Sequence, residues 1–399
     1  MKYCTKCLYP DTKPLLEFDK NGVCSACINS EKKETIDWLQ KEKDFKEILK
    51  KYKSKDKRNY DCIIPVSGGK DSTFQAYTMK ERFGLNPLVV NLHPLDQTDI
   101  GRKNLENLKK LGVDCIEFTP NPTVYSKLAK FGLIELGDFQ WPEHIGIFTI
   151  PVQIAVKFKI PLIIWGETSE EYGVATEKHH VTYFLDKIKP EDMTQHGFKT
   201  EELIPYIYPS NEEIKKVGIM GIFLGSYIKW DIFKQLEIVK ELGFLENEEI
   251  KEGTYDKWEN IDVYFTVFHD YFKFLKYGFG RATDHASIEI RHGRLTRNEG
   301  IELVKKYEGK IPKKYLEKFL DAANISENEF CAICDKFTNK EIFLKNPDGS
   351  IKKDDENNII LKNPVVWINI ITNRKQIYFY ISNMGKNKLD KKIFIRIIS

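Results

Sequence analysis

Four short apolar runs, at 60–66, 88–93, 113–118 and 161–165, alternate along the chain with segments whose apolar residues recur every three or four positions. The repeating segments cover 72–83, 99–111, 122–134 and 144–158 and read as helices. Strand runs apolar on both faces suit a parallel sheet covered by helices on each side, and the intervening lengths allow right-handed crossovers. The pattern therefore predicts an α/β fold with a doubly wound parallel sheet over 58–200. Ligands of such sheets bind beyond the carboxyl ends of the strands. Residues 67–72, His93-Pro94 and Gly166-Glu167 all follow strand ends and are expected to converge on one crevice.

On either side the pattern changes. Residues 31–57 read as one charged helix with an irregular apolar stripe of Ile36, Leu39, Phe45, Ile48 and Leu49, lying across the core. Residues 201–340 read as mostly helical. They include an amphipathic helix from Ile232 to Leu242 and two short helices over 300–320. From 341 to 399 β-branched and aromatic residues are cut by Asn, Asp and Gly, as in Val365-Val366-Trp367-Ile368, which predicts a small strand-rich appendage.

A chain of 399 residues suggests two or three units. The 62 basic and 59 acidic side chains nearly cancel, to a formal charge of +3, so no electrostatic footprint for a nucleic acid is expected. The start, Met1-Lys2-Tyr3-Cys4, has no apolar signal region, and no window is long enough to span a membrane. The expectation is a soluble cytoplasmic protein that binds neither nucleic acid nor membrane.

Cysteine spacing adds a module that periodicity misses. Cys4-x-x-Cys7 and Cys24-x-x-Cys27 form two pairs in residues 1–30, and Gly22 suits the turn into the second. In a cytosolic chain that spacing points to four thiolates around a structural Zn2+; the alternatives are an iron–sulfur cluster on the same ligands and a disulfide pair, which a reducing compartment disfavours. Cys62 and Cys115 fall in predicted strands as small core residues.

The first strand run enters Ser67-Gly68-Gly69-Lys70-Asp71-Ser72, and a helical segment follows at once. Backbone N–H groups and a helix N-terminus then face one spot, which makes an anion site. The spacing fits neither GxxxxGK[ST] nor GxGxxG. It resembles the SGGxDS pyrophosphate loop of the ATP pyrophosphatase (PP-loop) superfamily, whose members cleave ATP to AMP and pyrophosphate while activating an acceptor oxygen. With the cysteine module ahead of it, the chain resembles the N-acetyl sugar amidotransferases, the group including PseA and WbpG. Further stretches carry that resemblance: Gly137-Asp138-Phe139-Gln140-Trp141 with His144, Gly166-Glu167-Thr168-Ser169-Glu170-Glu171-Tyr172-Gly173, and Lys276 to His285 continuing through Arg291 and Arg297. It covers about residues 1–340. Cys331-x-x-Cys334 and the tail after 340 are departures from it.

The resemblance implies amidine formation. An N-acetyl oxygen of an anionic or nucleotide-linked sugar attacks the α-phosphorus of ATP, and ammonia then displaces AMP. It also implies a separate glutaminase and a cyclase-like subunit to supply ammonia, since no glutaminase assembly is legible here. Ser67, Gly68, Gly69 and Ser72 would cradle phosphates, with His93 and Gly166 at the same rim. Lys70 would stabilise the leaving pyrophosphate. Asp71 reads as a Mg2+ ligand or as a cap of the loop. Glu167 would hold Mg2+ or accept a proton from ammonia. Asp138, Trp141, His144, Glu170, Glu171 and Tyr172 would shape the acceptor pocket, although Trp141 also reads as core and Glu170-Glu171 as an acidic helix start. Arg281, Asp284, His285, Arg291 and Arg294 form a basic cluster suited to a substrate anion, or an ion-paired surface. The rival readings are ATP-dependent tRNA thiolation, for which Cys331 and Cys334 are the available thiols, and a non-catalytic zinc and nucleotide scaffold.

Overall fold

The computed structural model describes residues 1–54, 57–166, 168–173, 190–365, 368–373 and 376–381. Five parallel strands form the central sheet: β1 (Cys62–Pro65), β2 (Pro87–Leu92), β3 (Asp114–Phe118), β4 (Leu162–Trp165) and β5 (Met220–Phe223), in the order β3-β2-β1-β4-β5. All four neighbouring pairs are parallel. The chain runs outward from β1 to β3, then returns to the other side of β1 for β4. That reversal opens a crevice at the carboxyl end of β1.

The two faces of the sheet separate by alternation along β1. Cys62 and Ile64 join Phe45, Phe74, Leu105, Leu108 and Leu236 in one core layer. Ile63 points the other way, against Ile150, Val152 and Ala155. The first layer is built by α2 (Trp38–Tyr52), α3 (Lys70–Tyr77) and α4 (Asp99–Lys109), and the second by α6 (Trp141–Phe158), which follows α5 (Pro122–Leu136). The expected doubly wound sheet is thus present.

Two features depart from the sequence expectation. The charged segment 31–57 is two helices, α1 (Ser25–Lys33) and α2, because the side chain of Asp37 accepts from the N–H of Gln40 and starts a new helix. Phe45 and Leu49 of α2 are buried on the core, whereas Leu39 is 76% exposed. The sheet also continues past residue 200. β5 is four residues long with two exposed positions, too short and too open to show a strand pattern.

Beyond the sheet, helices Thr266–Tyr277, Leu316–Ala323 and Glu327–Phe337 share an aromatic core with α5, in which Phe268 and Phe319 stack with ring centroids 4.0 Å apart. The tail includes an antiparallel hairpin of β6 (Ile368–Asn373) and β7 (Gln376–Ile381). No helix among the described residues is long and apolar enough to cross a membrane.

Candidate active site

The loop after β1 is shaped by its own residues. Gly68 has φ +93°, and a Cβ there would lie 2.8 Å from the backbone nitrogen of Leu105, so the loop can press against α4 only with glycine. Ser72 Oγ accepts from the N–H groups of Ser67 and Gly68 at 3.4 and 3.3 Å, and Ser67 Oγ accepts from Gly69 at 3.1 Å. Hydroxyls thereby hold three loop N–H groups at the amino end of α3. The ordered loop thus presents the amino end of α3, where first-turn N–H groups and the helix dipole favour an anion.

That end of α3 opens on a cavity of about 490 Å³ lined by Ser67, Gly69, Lys70, Asp71 and Ser72. Pro94 and Gly166 reach it from β2 and β4, while His144 and Arg281 come from helices. Strand-end convergence is therefore borne out for the loop, for Pro94 and for Gly166. His93 itself is not among the lining residues, and neither is Gly68. Glu167 lies outside the described residues.

The opposite wall comes from Trp258, Glu259, Asn260, Ile261 and Asp262, which no periodic pattern singles out. Lys70 Nζ is 2.6 Å from Asp71 Oδ2, 3.4 Å from Glu259 Oε1 and 4.8 Å from the Trp258 ring centroid. Burial works to raise the Glu259 carboxyl, but Lys70, His285 and Arg281 outweigh it and hold the group well below the usual range. Burial pushes Asp262 up to about 6, against a hydrogen bond from Ser67. Glu143, from α6, is pushed up to about 7 by burial and by the charge of Asp96. The wall is pinned from behind: Thr98 N–H donates to the Asp262 carbonyl at 2.9 Å, and Lys251 Nζ donates to the carbonyls of Asn260 and Val263.

Four buried oxygens on this lining have no partner among the described residues: Asp71 Oδ1, Gln75 Oε1, Asn91 Oδ1 and Asp262 Oδ1. Unpartnered acceptors beside a helix amino end fit a ligand that brings donors or cations together with phosphate. Asp71 and Asp262 offer hard oxygen ligands of the kind Mg2+ takes.

The other expected site residues have different neighbours. Trp141 is 3% exposed and packs with Leu128, Ile145 and Met193 in an apolar cluster. Asp138 is hydrogen-bonded to His144 and His269, both on the cavity lining. Asp284 pairs with Lys13 and Lys273, and His285 with Asp256 and Glu259. Arg294 pairs with Asp231. Glu171 pairs with Lys33, and its carbonyl accepts from Arg291 at 2.8 Å. Tyr172 faces Lys13, with the ammonium 5.8 Å from its ring centroid. Glu170 shares that short 3-10 turn, Ser169–Tyr172. These last residues tie the cysteine module to the core instead of lining the cavity.

In that module Cys4, Cys7, Cys24 and Cys27 are all buried, with sulfurs within 4.8 Å of one another. Cys4 and Cys27 sulfurs are 3.8 Å apart, and those of Cys7 and Cys24 are 3.5 Å apart. A tetrahedron with metal–sulfur bonds of ~2.3 Å has edges of ~3.8 Å. These distances are far too long for disulfides, whose S–S bond is ~2.05 Å. Gly22 turns the chain at φ +73° as expected. The four residues fit a structural Zn2+.

Residues 252–354 match the family described as LPS biosynthesis protein WbpG-like, C-terminal domain. The family resemblance is shown over this segment, which supplies the cavity wall from Trp258 to Asp262 and also Arg281. An uncharacterized protein of Methanocaldococcus jannaschii is 31% identical over 105 residues, 26% of this chain and 36% of that protein. The chain thus spans about a third of the curated relative it matches. Three of the solved structures that align do so at low similarity. NMN synthetase from Francisella tularensis has a TM-score of 0.29 and 13% identity, covering 65% of this chain and 94% of that one. NH3-dependent NAD synthetase from Campylobacter jejuni has 0.28 and 12%, covering 54% and 100%. A predicted subunit of tRNA methyltransferase from Methanocaldococcus jannaschii has 0.26 and 17%, covering 48% and 78%.

Proposed function

We propose that this chain is an ATP-dependent amidotransferase that converts the N-acetyl group of an anionic sugar to an acetamidino group, releasing AMP and pyrophosphate. One observation carries the reading: the SGGKDS loop and the WbpG-like segment form opposite walls of the same cavity. The amino end of α3 and Lys70 would take the terminal phosphates, which leaves the α-phosphorus as the electrophile. Mg2+, held by Asp71 and Asp262, would neutralise charge on the phosphate oxygens. Arg281, paired with Asp270 and Glu259 on the cavity lining, would meet an acceptor anion.

Attack by the acetamido oxygen breaks the α–β phosphoanhydride and forms an O-adenylyl imidate. Ammonia adds at the imidate carbon, AMP leaves, and the amidine keeps the added nitrogen. Ammonia would come from a separate glutaminase through a cyclase-like partner, or from free ammonium. Cys331 and Cys334 are not on the cavity lining, which gives tRNA thiolation no thiol there.

The test is a reaction with ATP, Mg2+, ¹⁵N-ammonium and an N-acetylated uronic or nonulosonic acid. AMP, pyrophosphate and a basic sugar carrying ¹⁵N are expected. ADP as the nucleotide product would overturn the role given to the loop, and label or sulfur in tRNA would overturn the substrate class.

A further inference from the structure

Asp138, His144 and His269 come together at the edge of the cavity on three rigid supports. Asp138 follows Gly137, the left-handed cap of α5 (φ +61°), and its N–H donates to the Gly132 carbonyl at 3.0 Å. His144 stands in the first turn of α6, and His269 in the first turn of helix Thr266–Tyr277. One ligand atom from each residue lies within 4.8 Å of the other two.

Two arrangements compete for this geometry, a carboxylate hydrogen-bonded to two imidazoles and a chelate. The separations admit the chelate as well as the hydrogen bonds. His144 Nδ1 is 3.0 Å from Asp138 Oδ2, and His269 Nδ1 is 3.3 Å from Asp138 Oδ1. Adjacent ligands around an ion with bonds of ~2.1 Å lie ~3.0 Å apart at right angles and ~3.4 Å apart in a tetrahedron. Both distances fall between those limits, and they reach the two different oxygens of Asp138, so the carboxylate can present both toward one ion. The imidazole planes are 72° apart with centroids at 4.9 Å, so the rings are not stacked. Both histidines line the cavity, and all three side chains are only partly buried.

We propose that Asp138, His144 and His269 bind a divalent first-row metal ion, separate from the thiolate site, with open coordination positions toward the cavity. Two imidazoles and a carboxylate suit Zn2+ or Mn2+ better than the hard Mg2+. An ion there acts as a Lewis acid on a carbonyl or phosphoryl oxygen entering the cavity. Metal binding does not depend on the reaction proposed above, so either can fail without the other.

The full chain is loaded with Zn2+, desalted, and its metal counted per chain by elemental analysis. Two ions are expected in the native protein. Asp138→Asn and His269→Gln should each lose one and keep the thiolate-bound ion. Cobalt substitution tells the sites apart, since only the cysteine site gives thiolate-to-metal charge transfer. If a variant fails to fold by circular dichroism, the native cobalt titration decides. A second equivalent that adds d–d bands without charge transfer supports the site. A native chain saturated by the cysteine-bound ion, or variants that keep the second ion, would overturn it.

Discussion

The ammonium of Lys70 lies 3.4 Å from the carboxylate of Glu259, joining the loop after β1 to the WbpG-like segment. Lys70 is 7% exposed, and its charge is already balanced by Asp71 and Glu259 before any phosphate arrives. In the proposed reaction ground-state phosphate would therefore gain little by replacing one anion with another, whereas the extra charge on departing pyrophosphate would gain more. Lys70→Ala is expected to lower turnover about a hundredfold, on the order of 3 kcal/mol, with a smaller loss of ATP affinity. Single-turnover rates beside equilibrium nucleotide binding measure the two effects. An equal loss in both would show that Lys70 only binds.

Gly101 tests how the Asp262 wall is held. It is buried in the first turn of α4, and a Cβ there would come within 2.7 Å of the Asp262 carbonyl oxygen. Helix propensity alone favours alanine by about 1 kcal/mol. The obstacle is backbone held by Thr98 and cannot swing aside, and overpacking of this kind costs about 1–3 kcal/mol. Gly101→Ala should therefore be destabilising in denaturant titrations and should lower turnover by displacing Asp262. A stabilised, fully active variant would show that the wall is free to shift.

The sheet and half of the cavity were legible in sequence because both rest on local patterns. β1 to β4 are apolar runs, and SGGKDS is contiguous, so its strand and helix bracket it. The other wall was not legible. Trp258, Glu259 and Asp262 stand in a stretch without regular secondary structure, where periodicity says nothing. Their only signal was a Trp beside two acids three residues apart. Arg291 and Arg294 illustrate the opposite case: arginines clustered in sequence leave one helix end in different directions. Arg291 lies over the Tyr9 ring, and Arg294 pairs with Asp231.

Thiolate-bound zinc should be structural and not catalytic. The cysteine module is clamped by Arg297, which donates to the Cys7 carbonyl at 3.3 Å, and by Ser25 Oγ, which donates to the Gly173 carbonyl at 2.6 Å. Cys24→Ser is expected to release the thiolate-bound ion and lower the melting temperature. Limited proteolysis should then cut first within residues 1–30. Zinc loss with an unchanged melting curve would show that the module folds without its ion.

His285 gives the protein a pH dependence of defined sign. Its Nδ1 is 2.8 Å from Asp256 and its Nε2 is 3.6 Å from Glu259, while the ring stacks on Trp258 at 5.4 Å. Burial alone would lower its pKa, but the charge of Glu259 and the hydrogen bond to Asp256 raise it to about 9. A raised histidine contributes stability that is fully present below the unfolded value of about 6.5 and is lost as pH rises through about 9. That difference corresponds to roughly 3 kcal/mol as an upper bound. Urea titrations of the native chain and His285→Gln should show a stability gap at about pH 6 that shrinks by about pH 10. Loss of the imidazolium also leaves Glu259 with Lys70 and Arg281 as its remaining cations, so Lys70 is held more tightly and phosphate competes less well. Nucleotide affinity should therefore fall over the same interval, and the fall should be absent in His285→Gln. A stability gap independent of pH would mean that the imidazolium charge is not what holds the two carboxylates together.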